Sequence, residues 1–96
     1  MDVAFEAELW LHAGEGSWHF VTLPGELADD IREQAPGRGF GSVRVTATLG
    51  PTTWQTSLFP ETASKSFVLP VKQQVRRAAG VEAGDRVAVR LSIDTA

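Results

Sequence analysis

Apolar and polar positions alternate with a period of two over several stretches of the chain. Val3, Phe5, Ala7, Leu9 and Leu11 interleave with Ala4, Glu6, Glu8, Trp10 and His12, which puts one apolar face on a strand of about ten residues. Ala13-Gly14-Glu15-Gly16-Ser17 is a turn cluster, and Trp18 to Leu23 resumes extended character, so the two segments predict a hairpin. The cleanest alternations come later. Val43, Val45, Ala47 and Leu49 define a third strand, and Val87, Val89, Leu91 and Ile93 define the last one. Between them Gly50-Pro51 turns the chain into Thr53 to Phe59, rich in β-branched and aromatic residues. Pro60 to Ser64 predicts a loop, and Lys65 to Leu69 a short strand stopped by Pro70.

Twice the spacing changes to that of a helix. Pro24 suits a first helical turn, where its missing N–H has no intrahelical partner, and Leu27, Ile31 and Ala35 then share one face. Glu26, Asp29 and Asp30 sit near the positive end of its dipole. This predicts a helix over 24–34. The second covers 70–79, with Val71, Val75, Ala78 and Ala79 on its apolar stripe and Gly80 as its C-cap. Ala35 to Gly41, with three glycines, is a loop.

The order strand, strand, helix, strand thus occurs twice. Leu23-Pro24 and Leu69-Pro70, 46 positions apart, end a strand and open a helix in each unit. Strands with a single apolar face lose their free edges only when the sheet closes on itself. The expected fold is therefore all-β: a closed or nearly closed six- to seven-stranded pseudo-barrel, capped at its ends by two short α-helices, with a candidate internal duplication.

Length and composition bound this picture. The chain has 96 residues, is 43% hydrophobic and contains no cysteine, which leaves room for one domain over 1–96 and excludes disulfides and thiolate metal sites. The N-terminus lacks the order of a signal peptide and the apolar runs are short, so the expected setting is cytoplasmic, with no membrane partner. The net charge of −3 argues against nucleic acid as a partner, because that affinity comes mainly from neutralising phosphates. The charge is nevertheless uneven. Residues 1–50 are acidic, whereas residues 51–96 carry Lys65, Lys72, Arg76, Arg77, Arg86 and Arg90, either a basic face or ordinary mixed surface charge.

The stretch Leu69-Pro70-Val71-Lys72-Gln73-Gln74-Val75-Arg76-Arg77-Ala78-Ala79-Gly80-Val81-Glu82-Ala83-Gly84-Asp85-Arg86-Val87-Ala88-Val89 resembles the strand, helix, Gly-Asp turn and strand of AbrB/MazE-type swapped-hairpin barrels. Together with Thr56-Ser57-Leu58-Phe59-Pro60 and Trp18-His19-Phe20-Val21-Thr22-Leu23-Pro24, it resembles more closely the domain-of-unknown-function family 1905. The resemblance implies a single-chain pseudo-barrel of bacterial or archaeal origin, and no activity. Glu61-Thr62-Ala63-Ser64 replaces the Gly-rich link usual in that family.

Candidate chemistry is sparse. His12 and His19 are the only imidazoles, so a catalytic triad has little to draw on, and a metal site would need them with Glu8 or Glu15 across the hairpin. Gly37-x-Gly39-x-Gly41 follows a helix rather than a strand, unlike a phosphate loop. Ser57 lacks the setting of a nucleophile elbow, and Gly84 and Asp85 have a plain role in a turn. No catalytic residue, metal site or cofactor is expected. Trp10, Phe40, Trp54 and Phe59 are candidates to line a cleft beside Arg44 or Arg76, or simply to cover the barrel ends. The best-suited ligand site combines Lys72 and Arg76, four apart on the second helix, with Trp54 and Ser57. Two classes stay open: a small noncatalytic module for a small ligand or protein partner, and an AbrB-like DNA-binding regulator or antitoxin-like protein. Because each half supplies its own strand-helix-strand unit, a monomer or weak homodimer is expected.

Overall fold

The computed structural model describes residues 1–14, 16–34 and 41–93. Its elements are β1 (Asp2–Leu11), β2 (His19–Thr22), α1 (Gly25–Gln34), β3 (Val43–Leu49), β4 (Thr52–Glu61), β5 (Ser66–Pro70), α2 (Gln73–Ala79) and β6 (Arg86–Ile93). The six strands form a closed barrel in the order β1-β2-β5-β4-β3-β6, antiparallel throughout. Exchanging β1, β2 and β3 for β4, β5 and β6 maps this ring of pairings onto itself. The repeated order of elements is thus also a repeated pattern of strand neighbours. Glu15 and residues 35–40, with Phe40 and most of the Gly-rich segment, lie outside the described residues.

Alternation decides what fills the barrel. Val43, Val45, Ala47 and Leu49 of β3 and Val87, Val89, Leu91 and Ile93 of β6 are all buried, with Arg44, Arg86 and Arg90 outside. Leu9, Val21, Leu58 and Leu69 complete the interior. Leu11, on the same register as Leu9, is 50% exposed because β1 runs past the barrel mouth there.

The helices close opposite ends of β5. α1 packs beside the start of that strand, burying Ala28 and Ile31, and the Ala28 N–H donates to Pro24 O at 3.0 Å. Pro24 is therefore the residue that hands strand to helix, as its fixed φ suggests. α2 follows the end of β5 and packs against β4.

Two boundaries differ from expectation. The second helix starts at Gln73 rather than residue 70, because Pro70 pairs with Phe20 and the Val71 N–H donates to His19 O at 3.0 Å, prolonging the strand ladder. Pro60 likewise lies within β4, opposite Phe67, so the loop shrinks to a turn around Thr62–Lys65. In α2 Val75 is buried but Ala78 is exposed, since a helix this short turns only a narrow stripe inward. Gly80 closes it in the left-handed conformation, φ 68°, as the C-cap pattern predicts.

Leu91 is 2% exposed, so Leu91→Ala is expected to cost about 2 to 5 kcal/mol through lost transfer energy and a residual cavity. Arg90→Ala, one position along on the outer face, should cost under about 0.5 kcal/mol. Urea melts of the two variants check the difference.

Candidate functional site

The inward register of β4 runs from core to rim. Leu58 is fully buried opposite Val43, followed by half-buried Thr56 opposite Val45 and Trp54 opposite Ala47. At this rim α2 is short, and a groove of about 640 Å³ remains between Trp54, Phe59, Val71, Arg76 and the hairpin residues Trp18 and His19. Its volume falls within the roughly 300–1,000 Å³ typical of small-ligand sites.

Three of the four expected ligand residues meet here: Trp54, Lys72 and Arg76 all line the groove. Ser57 does not. It pairs with Arg44 on the outer register of β4, because the register with β3 assigns Thr56 and Leu58 to the inside. Lys72 and Arg76 share the groove for a different reason than expected. Lys72 is not a helical residue but the cap of α2, with extended backbone, and its carbonyl accepts the Arg76 N–H at 3.1 Å. The half-buried Arg76 donates Nη1–H to Val71 O at 2.7 Å, which fixes the guanidinium against the groove wall and leaves its opposite edge uncommitted by that bond.

The electrostatics follow from the lining. No carboxylate lines the groove, and none lies within 4 Å of Lys72 or Arg76, among the described residues. In a chain of net charge −3 this is a local cationic site. Beneath it Trp54 Nε1 is buried without a hydrogen-bond partner, the one such side-chain atom among the described residues. An unmet buried donor costs about 1 to 3 kcal/mol. Trp10 shows the contrast, since its Nε1–H donates to Thr22 Oγ1 at 2.9 Å.

The remaining candidates scatter. The six late basic residues do not form one face: Arg86 pairs with Glu6 at 3.1 Å on the outside of β6, and Lys65 sits in the β4–β5 turn. Arg44 lies in a separate outer depression with Gln55. Trp10 lies tilted against Phe20, ring centroids 5.2 Å apart, outside the barrel and away from the groove lining. His12 packs its ring on Trp10 and Phe20, whereas His19 pairs with Leu11 on the opposite face of the hairpin. The two imidazoles therefore do not converge. Among the described residues no three His, Asp or Glu gather to hold a metal; Glu15 lies outside them. His19 donates Nδ1–H to Ser17 O at 2.9 Å, leaving Nε2 as its other polar atom. Asp85 Oδ2 accepts the Glu82 N–H, and Gly84 N–H donates to Leu9 O, so both turn residues have structural work.

Trp18, Thr56 and Gln73 also line the groove and were not marked by sequence. The signal for Trp18 was its place beside the turn cluster, which the strand pairing carries toward Val71. Among the described residues no helix is long and apolar enough to cross a membrane.

The molecule is thus a closed six-stranded antiparallel barrel with a helix at either end and a cationic, aromatic-walled groove at one of them. It belongs to the family described as Domain of unknown function (DUF1905), whose model matches residues 5–91. No curated protein matches the sequence.

The turn that carries Trp18 makes its own test. Gly16 has φ 91°, and a Cβ there would lie 2.8 Å from Trp18 Nε1. Gly16→Ala should therefore cost about 1 to 3 kcal/mol and displace the Trp18 ring, measured by urea melts and tryptophan fluorescence.

Proposed function

We propose that this domain is a noncatalytic binding module whose groove beside α2 takes a small ligand with a flat apolar body and an anionic head. The observation that carries this is the pairing of Lys72 and Arg76 with aromatic walls, without a carboxylate among the described lining residues. An arginine held by one backbone bond presents a planar fork suited to an oxyanion, and indole faces suit a flat ring. Nothing in the groove forms a nucleophile–base pair. His19 is committed at Nδ1 to a carbonyl, and the lining hydroxyls of Ser17 and Thr56 have no hydrogen bond to it.

The DNA-binding alternative has less support. The pairing surfaces that swapped-hairpin dimers share between two chains are used within this one, where β2 meets β5 and β3 meets β6. The late basic residues also point to different parts of the surface. A monomer accordingly suffices for folding in this proposal, and sedimentation equilibrium should return a mass near 10.4 kDa; an obligate dimer would revive the alternative.

The binding proposal is checked by following amide and indole N–H resonances during titration with naphthoate. Expected is saturable movement confined to residues 16–19, Trp54, Thr56, Phe59 and residues 71–76, with at least about tenfold weaker binding, or about 1.4 kcal/mol, in Arg76→Ala. Equal titration of wild type and Arg76→Ala, or movement elsewhere on the barrel, would refute it.

A further inference from the structure

We infer that the head group this groove selects is a carboxylate, and that the indole N–H of Trp54 is one of the donors that read it. The inference rests on the binding proposal and goes one step further, from anion to a particular anion. Four observations bear on it.

The first is the buried, unpartnered Nε1 of Trp54, a residue of the groove lining. A ligand acceptor to which the indole turns that N–H removes the penalty of an unmet donor. The second is Arg76. With Nη1 bonded to Val71 O, the Nε/Nη2 edge remains, and two parallel N–H groups match the two coplanar oxygens of a carboxylate. The third is Lys72, an exposed ammonium at the mouth, which adds long-range attraction without a fixed geometry.

The fourth observation separates carboxylate from phosphate. Beyond these groups Trp18, Phe59, Pro70 and Val71 form the apolar wall, Ser17, His19, Thr56 and Gln73 are the other polar lining residues, and indole and guanidinium are both flat donors. A monoanion with two oxygens in one plane is fully answered by an arginine fork and one indole N–H. A phosphate monoester carries nearly twice the charge and three outward oxygens, so it would also need Ser17, Thr56 or Gln73 to turn to it, and any oxygen left against the apolar wall is costly.

The opposite end of the barrel shows what a satisfied arginine looks like. Ile31-Arg32 in α1 has the same buried-aliphatic-then-arginine order as Val75-Arg76 in α2. Arg32 is paired with Asp29 at 3.0 Å, donates to Lys65 O and lies 5.3 Å from the Phe67 ring centroid. Donors on both of its terminal nitrogens are answered from within the chain. Arg76 has one intramolecular hydrogen bond from its side chain among the described residues, and the orphaned indole lies at its end of the barrel.

The test uses three probes with the same ring and different heads: naphthoate, naphthyl phosphate and naphthyl methanol. In wild type the Trp54 indole N–H proton should move downfield with naphthoate, the mark of a new hydrogen bond to an anion, and naphthoate should bind more tightly than naphthyl phosphate. Trp54→Phe should weaken naphthoate about tenfold more than it weakens naphthyl methanol, the excess reporting the lost N–H rather than the lost ring face, with a thermal melt of the free variant showing that it folds. Tighter binding of the phosphate, no such excess in Trp54→Phe, or a stationary Trp54 N–H while other groove resonances move would each overturn the carboxylate assignment but leave the binding proposal standing. If neither anion moves any groove resonance, both fall together. The wild-type resonance measurement decides the matter even if Trp54→Phe proves unstable.

Discussion

Everything in this molecule depends on two long strands that change partners halfway. β1 pairs with β6 from Asp2 to Glu8 and with β2 from Leu9 to Leu11; β4 pairs with β3 from Thr52 to Leu58 and with β5 from Phe59 to Glu61. Each strand is a corner at which one sheet becomes the other. An antiparallel sheet with a single apolar face must bury that face and hide its edges, and two such corners accomplish both within 96 residues. The corner in β1 is held by the turn before β6, where the Leu9 N–H donates to Asp85 O at 2.9 Å and Leu9 O accepts from the Gly84 N–H at 2.8 Å. That accounts for the Gly-Asp turn without any chemistry.

The ring of pairings is symmetric under exchange of its halves, yet the two ends differ. At the first, the helix begins directly after Pro24, and Arg32 folds across Phe67 toward the β4–β5 turn. Ser66 is buried there and donates to Leu23 O at 2.8 Å, so the polar group brought inside is satisfied. At the second, Val71 prolongs the strand ladder as Leu23 does at the first, and the helix again begins two residues on, but it spans 7 residues rather than 10. Less of the mouth is covered. A shorter helix therefore separates a plugged end from an open one, with the backbone of the barrel otherwise equivalent.

The same feature decides what could be read from sequence. β3 and β6 were legible because each has barrel interior on one side and solvent on the other, so alternation reports the fold directly. Around Thr56-Ser57-Leu58-Phe59 no alternation exists, and the face of Ser57 was set by its register opposite Arg44, a long-range fact. Pro60 and Pro70 look like terminators, yet both are accommodated within strands. The nearness of Lys72 and Arg76 was visible from their spacing, and the convergence of Trp54 on them followed from α2 packing against β4. Trp18 was visible only as a residue beside a turn. It reaches the groove through the β2–β5 pairing, which joins residues some fifty positions apart.

Rigidity links the groove to the fold that forms it. Val71 lies in its wall and is also 2% exposed core, and Trp54 and Thr56 belong to the same strand face as Leu58. The floor cannot collapse into the groove without breaking the β3–β4 register, since a slip of one residue would turn Leu58 to solvent. The preformed site consequently avoids much of the cost of ordering that a mobile loop would incur on binding. Stability and occupancy are coupled in return: whatever fills the groove binds only the folded barrel, and so raises its resistance to unfolding by mass action alone. With the open end built from residues that also close the sheet, selection acting on the ligand and selection acting on the fold bear on the same side chains. The outer face of β6 is free of that double constraint.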